Sequence, residues 1–280
     1  MKFGLFKSPY DSRDWLIKSF LKYEGLPIRG GVLSKEMTPV RSQGNEGSCV
    51  SFALVAGIME YLNNVLDYPE HKDLIRLSTR FLYEESKKLS GHPEGTTLKA
   101  GVTIGKSLGT CLERYWPYIP NEVNNPHPKA YENALKFRLK SFARITNIEE
   151  LKGALNNPKI KLVLAGVEVF KGMVSEQAKS NGVVTNPSCW DRMKKLGNHG
   201  ICINYYDDTY SFWRNPGGVQ FKNSWGKESW GQQGYGYLSY DYLKSHMIDA
   251  FAVMDINDPN AYEIATVGML PEEDRKKLWV

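Results

Sequence analysis

The apolar positions of this chain follow two rhythms. Between about residues 45 and 140 they gather into long runs that suit helices, and from about 141 to 258 into short alternating or β-branched runs that suit strands. The longest run, residues 49–66 (CVSFALVAGIMEYLNNVL), contains no proline and follows Ser48, a good N-cap, so it predicts a buried central helix. Two more helices are expected over 78–88 and 96–108, both opening on Ser or Thr and closing near Gly. After a proline-rich stretch at 116–128, a last helix is expected over about 129–140. Strands are then expected at 142–145, 162–170, 200–207, 210–214, 219–224 and 234–239, each short and bounded by turn residues. Residues 1–36 break at Gly30-Gly31 and hold no sustained period, which suggests an extended arm with at most a short helix around 15–23. A helical half followed by a β half predicts an α+β protein whose two lobes enclose a cleft, with a polar tail at 259–280.

Composition agrees with an ordinary globular domain: 41% of the 280 residues are hydrophobic and 24% charged. The net charge of +5 comes from scattered basic residues, too weak a pattern to argue for nucleic acid. The first fifteen residues lack the apolar stretch of a secretory signal, and the most apolar window, residues 160–170, is too short for a bilayer, which takes about 20 residues. A soluble, cytoplasmic monomer with neither nucleic-acid nor membrane partner is therefore expected. Four cysteines are too few for a disulfide scaffold, so each needs its own explanation.

One of them stands at a place with chemical consequences. In PVRSQGNEGSCVSF, residues 39–52, Cys49 opens the long helix, where unpaired N–H groups and the positive dipole end favour a thiolate. A thiolate that attacks a carbonyl needs a proton donor for the leaving group, and a histidine of near-neutral pKa is the usual one. Of His71, His92, His127, His199 and His246, only His199 opens a strand that can hold its ring at the cleft. Asn223 follows 24 residues later (223 − 199), a spacing that suits a neighbouring strand and an amide oxygen facing the imidazole. A zinc site from Cys189, Cys202 and His199 lacks any paired ligand spacing, so neither metal nor cofactor is expected. Cys202, Trp230 and Tyr235 are expected to be core residues.

With these residues together, the sequence resembles the papain-like cysteine peptidase family over most of its length. Gln43 and Cys49 are six apart (49 − 43) with Gly47-Ser48 before the cysteine, and Cys49 and His199 are 150 apart (199 − 49). The run FKNSWGKESWGQQGYGYLSYDYL matches the family's Asn-Ser-Trp-Gly motif and its Trp-Gly-x-x-Gly-Tyr stretch, and the LSTRFLY, EGTTL and YWPY segments resemble the connecting pieces of prokaryotic-type members. The resemblance implies a two-lobe fold, with a helical lobe over about 45–140 and an antiparallel, β-barrel-like lobe over about 141–258. It implies Cys49 as nucleophile resting as thiolate beside a His199 imidazolium, Asn223 orienting the ring, Trp225 covering their bond, and Gln43 with the Cys49 N–H as oxyanion hole. Gly95, Thr96, Gly197, Asn198 and a position near Met247 would border the substrate, a peptide or protein cleaved internally. Residues 1–36 would be a short propeptide lying across the cleft.

The sequence departs from the family in three places, the first being the substrate loop, where Gly95 is followed by Thr96 and secreted relatives carry a glycine pair. Glu46 stands where the signature has a disulfide-forming cysteine, and Val50 where an aromatic residue is usual. Acyl transfer or peptide ligation with the same residues, and a papain-fold binding protein without catalysis, are the alternatives.

Overall fold

A computed structural model describes residues 2–19, 21, 25–67, 74–212 and 216–254. The expected tail at 259–280 lies outside them. The arm contributes two short strands, β1 (Leu5–Phe6) and β2 (Arg29–Gly31), with a 3₁₀ turn at Ile17–Ser19 between them. The central helix α1 opens as expected at Cys49–Ser51 and continues in wide π-type turns through Phe52–Met59 and Leu62–Asp67. Next come α2 (Thr79–Ser90), β3 (Thr96–Thr97) and α3 (Leu98–Ser107). Ser78 caps α2 by accepting the Phe81 N–H at 3.0 Å, and Thr97 caps α3 through the Ala100 N–H at 3.0 Å.

The helix expected over 129–140 shrinks to α4 (Ala130–Ala134) and one 3₁₀ turn, Leu135–Phe137. The chain leaves the helix so that Leu139 can enter the core, with its N–H on the Gly105 carbonyl at 2.8 Å. The second half holds β4 (Ser141–Arg144), α5 (Ile148–Asn156), β5 (Val163–Val169), α6 (Glu176–Asn181), α7 (Cys189–Arg192), β6 (Gly197–Asp207), β7 (Gly218–Lys222), β8 (Tyr235–Ser239), α8 (Tyr240–His246) and β9 (Met247–Met254). Of the strand expected at 210–214, residues 210–212 form none, and 213–214 lie outside the described residues. The Tyr210 carbonyl instead closes the β6–β7 loop on the Gly217 N–H at 2.9 Å, and its ring stacks on Tyr237 with centroids 4.7 Å apart.

The strands form one antiparallel sheet in the order β4-β9-β5-β6-β7-β8, and β2 pairs with the far end of β6. Among the described residues β4 and β8 do not pair with each other, so the barrel-like lobe is an open sheet. Both faces of its middle are buried, which explains why β5 reads as a continuous apolar run. Leu162 and Leu164 face the helical lobe together with Phe251, Val253 and the α1 residues Leu54 and Ile58. Val163, Val167, Ile201, Ile203 and Ala252 face a second core with Leu151, Leu155, Tyr242 and Leu243.

The arm is part of this construction. Ile17 is fully buried in the second core, and Asp14 pairs with Lys99 of α3 and with Arg144 of β4, so it bridges the two lobes. Among the described residues no helix is long and apolar enough to cross a membrane. Leu164→Ala, at a fully buried site between helix and sheet, is expected to lower unfolding free energy in urea by about 2–5 kcal/mol. Leu135→Ala, half exposed on the surface, should stay within about 0.5 kcal/mol of the parent.

Candidate active site

Cys49 sits at the first turn of α1, fully buried, where that helix end meets β6. The approach is close because Gly200 has no side chain: a Cβ there would lie 3.2 Å from both N and Cα of Val50. His199, the preceding residue on β6, turns its Nε2 to the Asn223 Oδ1 at 2.8 Å. Its other nitrogen, Nδ1, is buried without a hydrogen-bond partner. The Asn223 oxygen also accepts the Ser224 N–H at 2.8 Å, which fixes the amide with its oxygen toward the histidine. Trp225 lies over the imidazole, with ring centroids 4.6 Å apart. Gln43 is fully buried, and its Oε1 accepts the Ser224 hydroxyl at 2.6 Å, which leaves its NH₂ facing the Glu46 carbonyl at 2.7 Å and the cleft. Four residues spread over 181 positions (224 − 43) of sequence are thus tied into one buried cluster.

The cleft is occupied by the start of the chain itself. The Lys2 carbonyl lies 3.4 Å from Gln43 Nε2, and Phe3 packs against His199 and Trp225 with centroids 6.3 and 6.2 Å away. Gly4 passes so close to the Gly47 carbonyl that a Cβ would overlap it, and its own carbonyl accepts the Thr96 N–H at 2.8 Å. From there β1 runs parallel to β3. The Leu5 side chain sits among Gly166, Leu98 and Ile248, its carbonyl takes a hydrogen bond from Asn198 Nδ2 at 3.2 Å, and the Phe6 ring stacks on His92 at 3.8 Å. Gly95, Thr96, Gly197 and Asn198 therefore all border the arm: Gly95 faces the Gly4 carbonyl and Gly197 faces the Phe3 ring. Met247 packs against the second core instead, and its neighbour Ile248 lines the Leu5 pocket, as alternation along a strand requires.

A family model described as papain family cysteine protease matches residues 30–256. The chain belongs to that family. Peptidase 1 of Euroglyphus maynei is 28% identical over 116 residues, a match spanning 40% of this chain and only about a third (32%) of that relative. Among solved structures, xylellain, a cysteine protease from Xylella fastidiosa, superposes with a TM-score of 0.77 at 21% identity, covering 91% of this chain and 96% of that one. Digestive procathepsin L 3 of Tenebrio molitor larval midgut gives 0.62 at 18% identity, covering 89% and 74%. At these identities the structural likeness concerns the fold.

Burial acts on both partners of the pair that the family resemblance implies. Burial pushes the Cys49 thiol up, although N–H groups of Gly200, Gly4 and Val50 lie against its sulfur. Burial also pulls the His199 imidazole down to about 4, only partly opposed by its bond to Asn223. With Phe3 and Gly4 packed against the site, burial favours the uncharged form of each group. All four cysteines are free: Cys111 and Cys202 are buried, with burial pushing each to about 12, and Cys189 alone is exposed. Among the described residues no three His, Cys, Asp or Glu side chains gather as a metal site would need.

Three contributors escaped the sequence reading. Ser224 sets the Gln43 amide, and only its place in the Asn-Ser-Trp-Gly motif pointed to it. Lys222, buried beside Asn223, donates to Thr38 Oγ1 at 2.9 Å and to the Ala56 carbonyl of α1 at 2.7 Å, and burial lowers it to about 8. Arg80 reads as a surface residue of an amphipathic helix, yet it is fully buried. Exposure sets the order of thiol reactivity in the native chain at pH 7. Iodoacetamide followed by peptide mass spectrometry is expected to find Cys189 modified well before Cys49, Cys111 and Cys202.

Proposed function

We propose that this chain is a cysteine peptidase that cleaves internal peptide bonds and is held latent by residues 2–6. The observation that carries this reading is that Cys49 lies against Gly200, next to the His199 that Asn223 holds, while Ser224 ties the same segment to the Gln43 amide. Once water and substrate replace the arm, the proton of Cys49 passes to the free Nδ1 of His199. The thiolate then attacks the substrate carbonyl carbon, and the carbonyl electron pair moves onto oxygen. The Gln43 NH₂ and the Cys49 N–H stabilise that oxyanion, a role worth about 2.7–4 kcal/mol per donor in other enzymes. Collapse breaks the C–N bond while His199 protonates the departing amine, and leaves a thioester on Cys49. His199 then takes a proton from water, hydroxide character attacks the thioester, and the acid and the thiol are released. Asn223 keeps the ring turned through both steps.

The direction of the arm supports latency. The amine that departs has to face His199, so the part of a substrate after the scissile bond lies toward Trp225 and the part before it toward Gly95. A substrate therefore runs from the Leu5 pocket to Trp225. The arm runs the other way, from Phe3 at Trp225 to Phe6 at His92. It fills the cleft on both sides of Cys49 as a backward chain, which also suits a cleft that accepts internal bonds. Acyl transfer to an added amine would use the same residues, and product analysis separates it from hydrolysis.

Deleting the whole arm is a poor test, because Ile17 is core and β2 is part of the sheet. The paired change Phe3→Asp and Leu5→Asp strips only the contacts in the cleft. It is expected to raise turnover of a blocked peptide substrate by about tenfold or more, the effect of losing roughly 1.4 kcal/mol of arm binding. Adding Cys49→Ala should abolish that turnover. Unchanged turnover would remove the latency claim, and turnover that survives Cys49→Ala would remove the mechanism. The neutral pair and the ion pair carry the same number of protons, so the activation factor should stay flat between about pH 5 and 8.

A further inference from the structure

Glu46, the departure from the family signature, meets an unusual partner. Arg80 of α2 is fully buried and Glu46 is 6% exposed, and they form a paired contact, Nη1 to Oε1 and Nη2 to Oε2, both at 2.7 Å. The guanidinium also donates to Glu84 Oε1 at 2.9 Å and to the Ile119 carbonyl at 2.6 Å, and the Asn121 N–H donates to Glu46 Oε2 at 3.2 Å. Arg80 lies 4.5 Å above the Tyr118 ring and 5.8 Å from the Tyr83 ring. Both tyrosines pass the contact on to the cleft. The Tyr118 hydroxyl donates to the Gln43 carbonyl at 2.8 Å and meets Ser48 Oγ at 2.6 Å, while the Tyr83 hydroxyl accepts the Gly95 N–H at 3.0 Å. The Glu46 carbonyl itself accepts the Gln43 side-chain N–H at 2.7 Å.

We propose that the Arg80–Glu46 pair is an ionic lock that positions the Gln43–Ser48 loop, and through it the oxyanion-stabilising amide of Gln43. This rests on the peptidase reading of the site. The loop, Gln-Gly-Asn-Glu-Gly-Ser, contains two glycines and has the backbone freedom to drift. Relatives with the signature cysteine can tie this point covalently. Here a buried fork of hydrogen bonds ties it, and the tie is indifferent to thiol reagents. Arg80 is a positioning residue: it touches the loop, Tyr118 and Tyr83, and none of the reacting atoms.

Truncating one side chain alone leaves the other without its hydrogen-bond partner in the interior and risks unfolding, so the informative variant is Glu46→Leu with Arg80→Met, which replaces the pair by apolar volume. Glu84 keeps a partner in Lys87 at 2.9 Å. In the Phe3→Asp, Leu5→Asp background, this double change is expected to leave the melting temperature near its parent. It should lower kcat about tenfold or more with little change in KM, since full loss of one oxyanion donor costs about 10²–10³ in kcat. Amide exchange of residues 44–48 should speed up at least severalfold. Glu46→Gln, which keeps the shape and removes the charge, should show the same pattern more weakly, and it serves if the double variant does not fold. Wild-type exchange at 44–48, or an unchanged kcat in a folded variant, overturns the proposal. If the parent with the displaced arm cleaves nothing, the peptidase reading falls, while faster exchange still supports the lock and unchanged exchange removes it.

Discussion

Everything at this site depends on how closely the N-terminal end of α1 can lie on β6. Cys49 belongs to one lobe and His199 to the other, and each is fixed by its own backbone. They become neighbours only because Gly200 leaves room for Val50 to pass within van der Waals contact of the strand. A sheet apolar on both faces makes that approach favourable, since Leu162, Leu164, Phe251 and Val253 give the helix a surface to bury against. Lys222 then pins a carbonyl of the same helix from the end of β7, the residue before Asn223. The cluster is thus held by packing from below and by one buried ammonium from behind.

Burial that tight has an electrostatic consequence. A thiol and an imidazole at a helix end facing water favour the charged pair, but the same groups under Phe3 and Gly4 favour the neutral one. The helix N-terminus alone does not decide the state of Cys49. The local dielectric does, and the chain supplies it from residues 2–6. Gly4 is the residue that makes the cover fit, because any side chain at that point would collide with the loop before the cysteine.

Sequence spacing located Cys49, His199, Asn223 and Gln43, because a helix start, a strand start and one motif with fixed neighbours are local signals. It also separated the helical half from the β half. It missed β9, an interior strand, because Asp249 interrupts its apolar run and is accommodated only by distant partners, Ser8 of the arm and Arg144 of β4. It missed Arg80 for a related reason: nothing near position 80 announces that a carboxylate 34 positions earlier (80 − 46) will meet it in the interior. Tyr210, expected to open a strand, stands in a loop instead, where its ring stacks against Tyr237. The direction of the arm was also beyond local reading, since parallel and antiparallel pairing with β3 demand the same residue types.

The bridge that Asp14 makes between Lys99 and Arg144 changes how the cleft segment has to bind. With Ile17 sunk in the core and Asp14 spanning the lobes, residues 2–6 hang from a fixed point only a few residues away. Their effective concentration at the cleft is then set by a short tether, in the millimolar range for linkers of this kind. A segment with feeble intrinsic affinity can fill the site under those conditions, and a single cut between Ser8 and Asp14 would turn it into a dilute peptide that leaves.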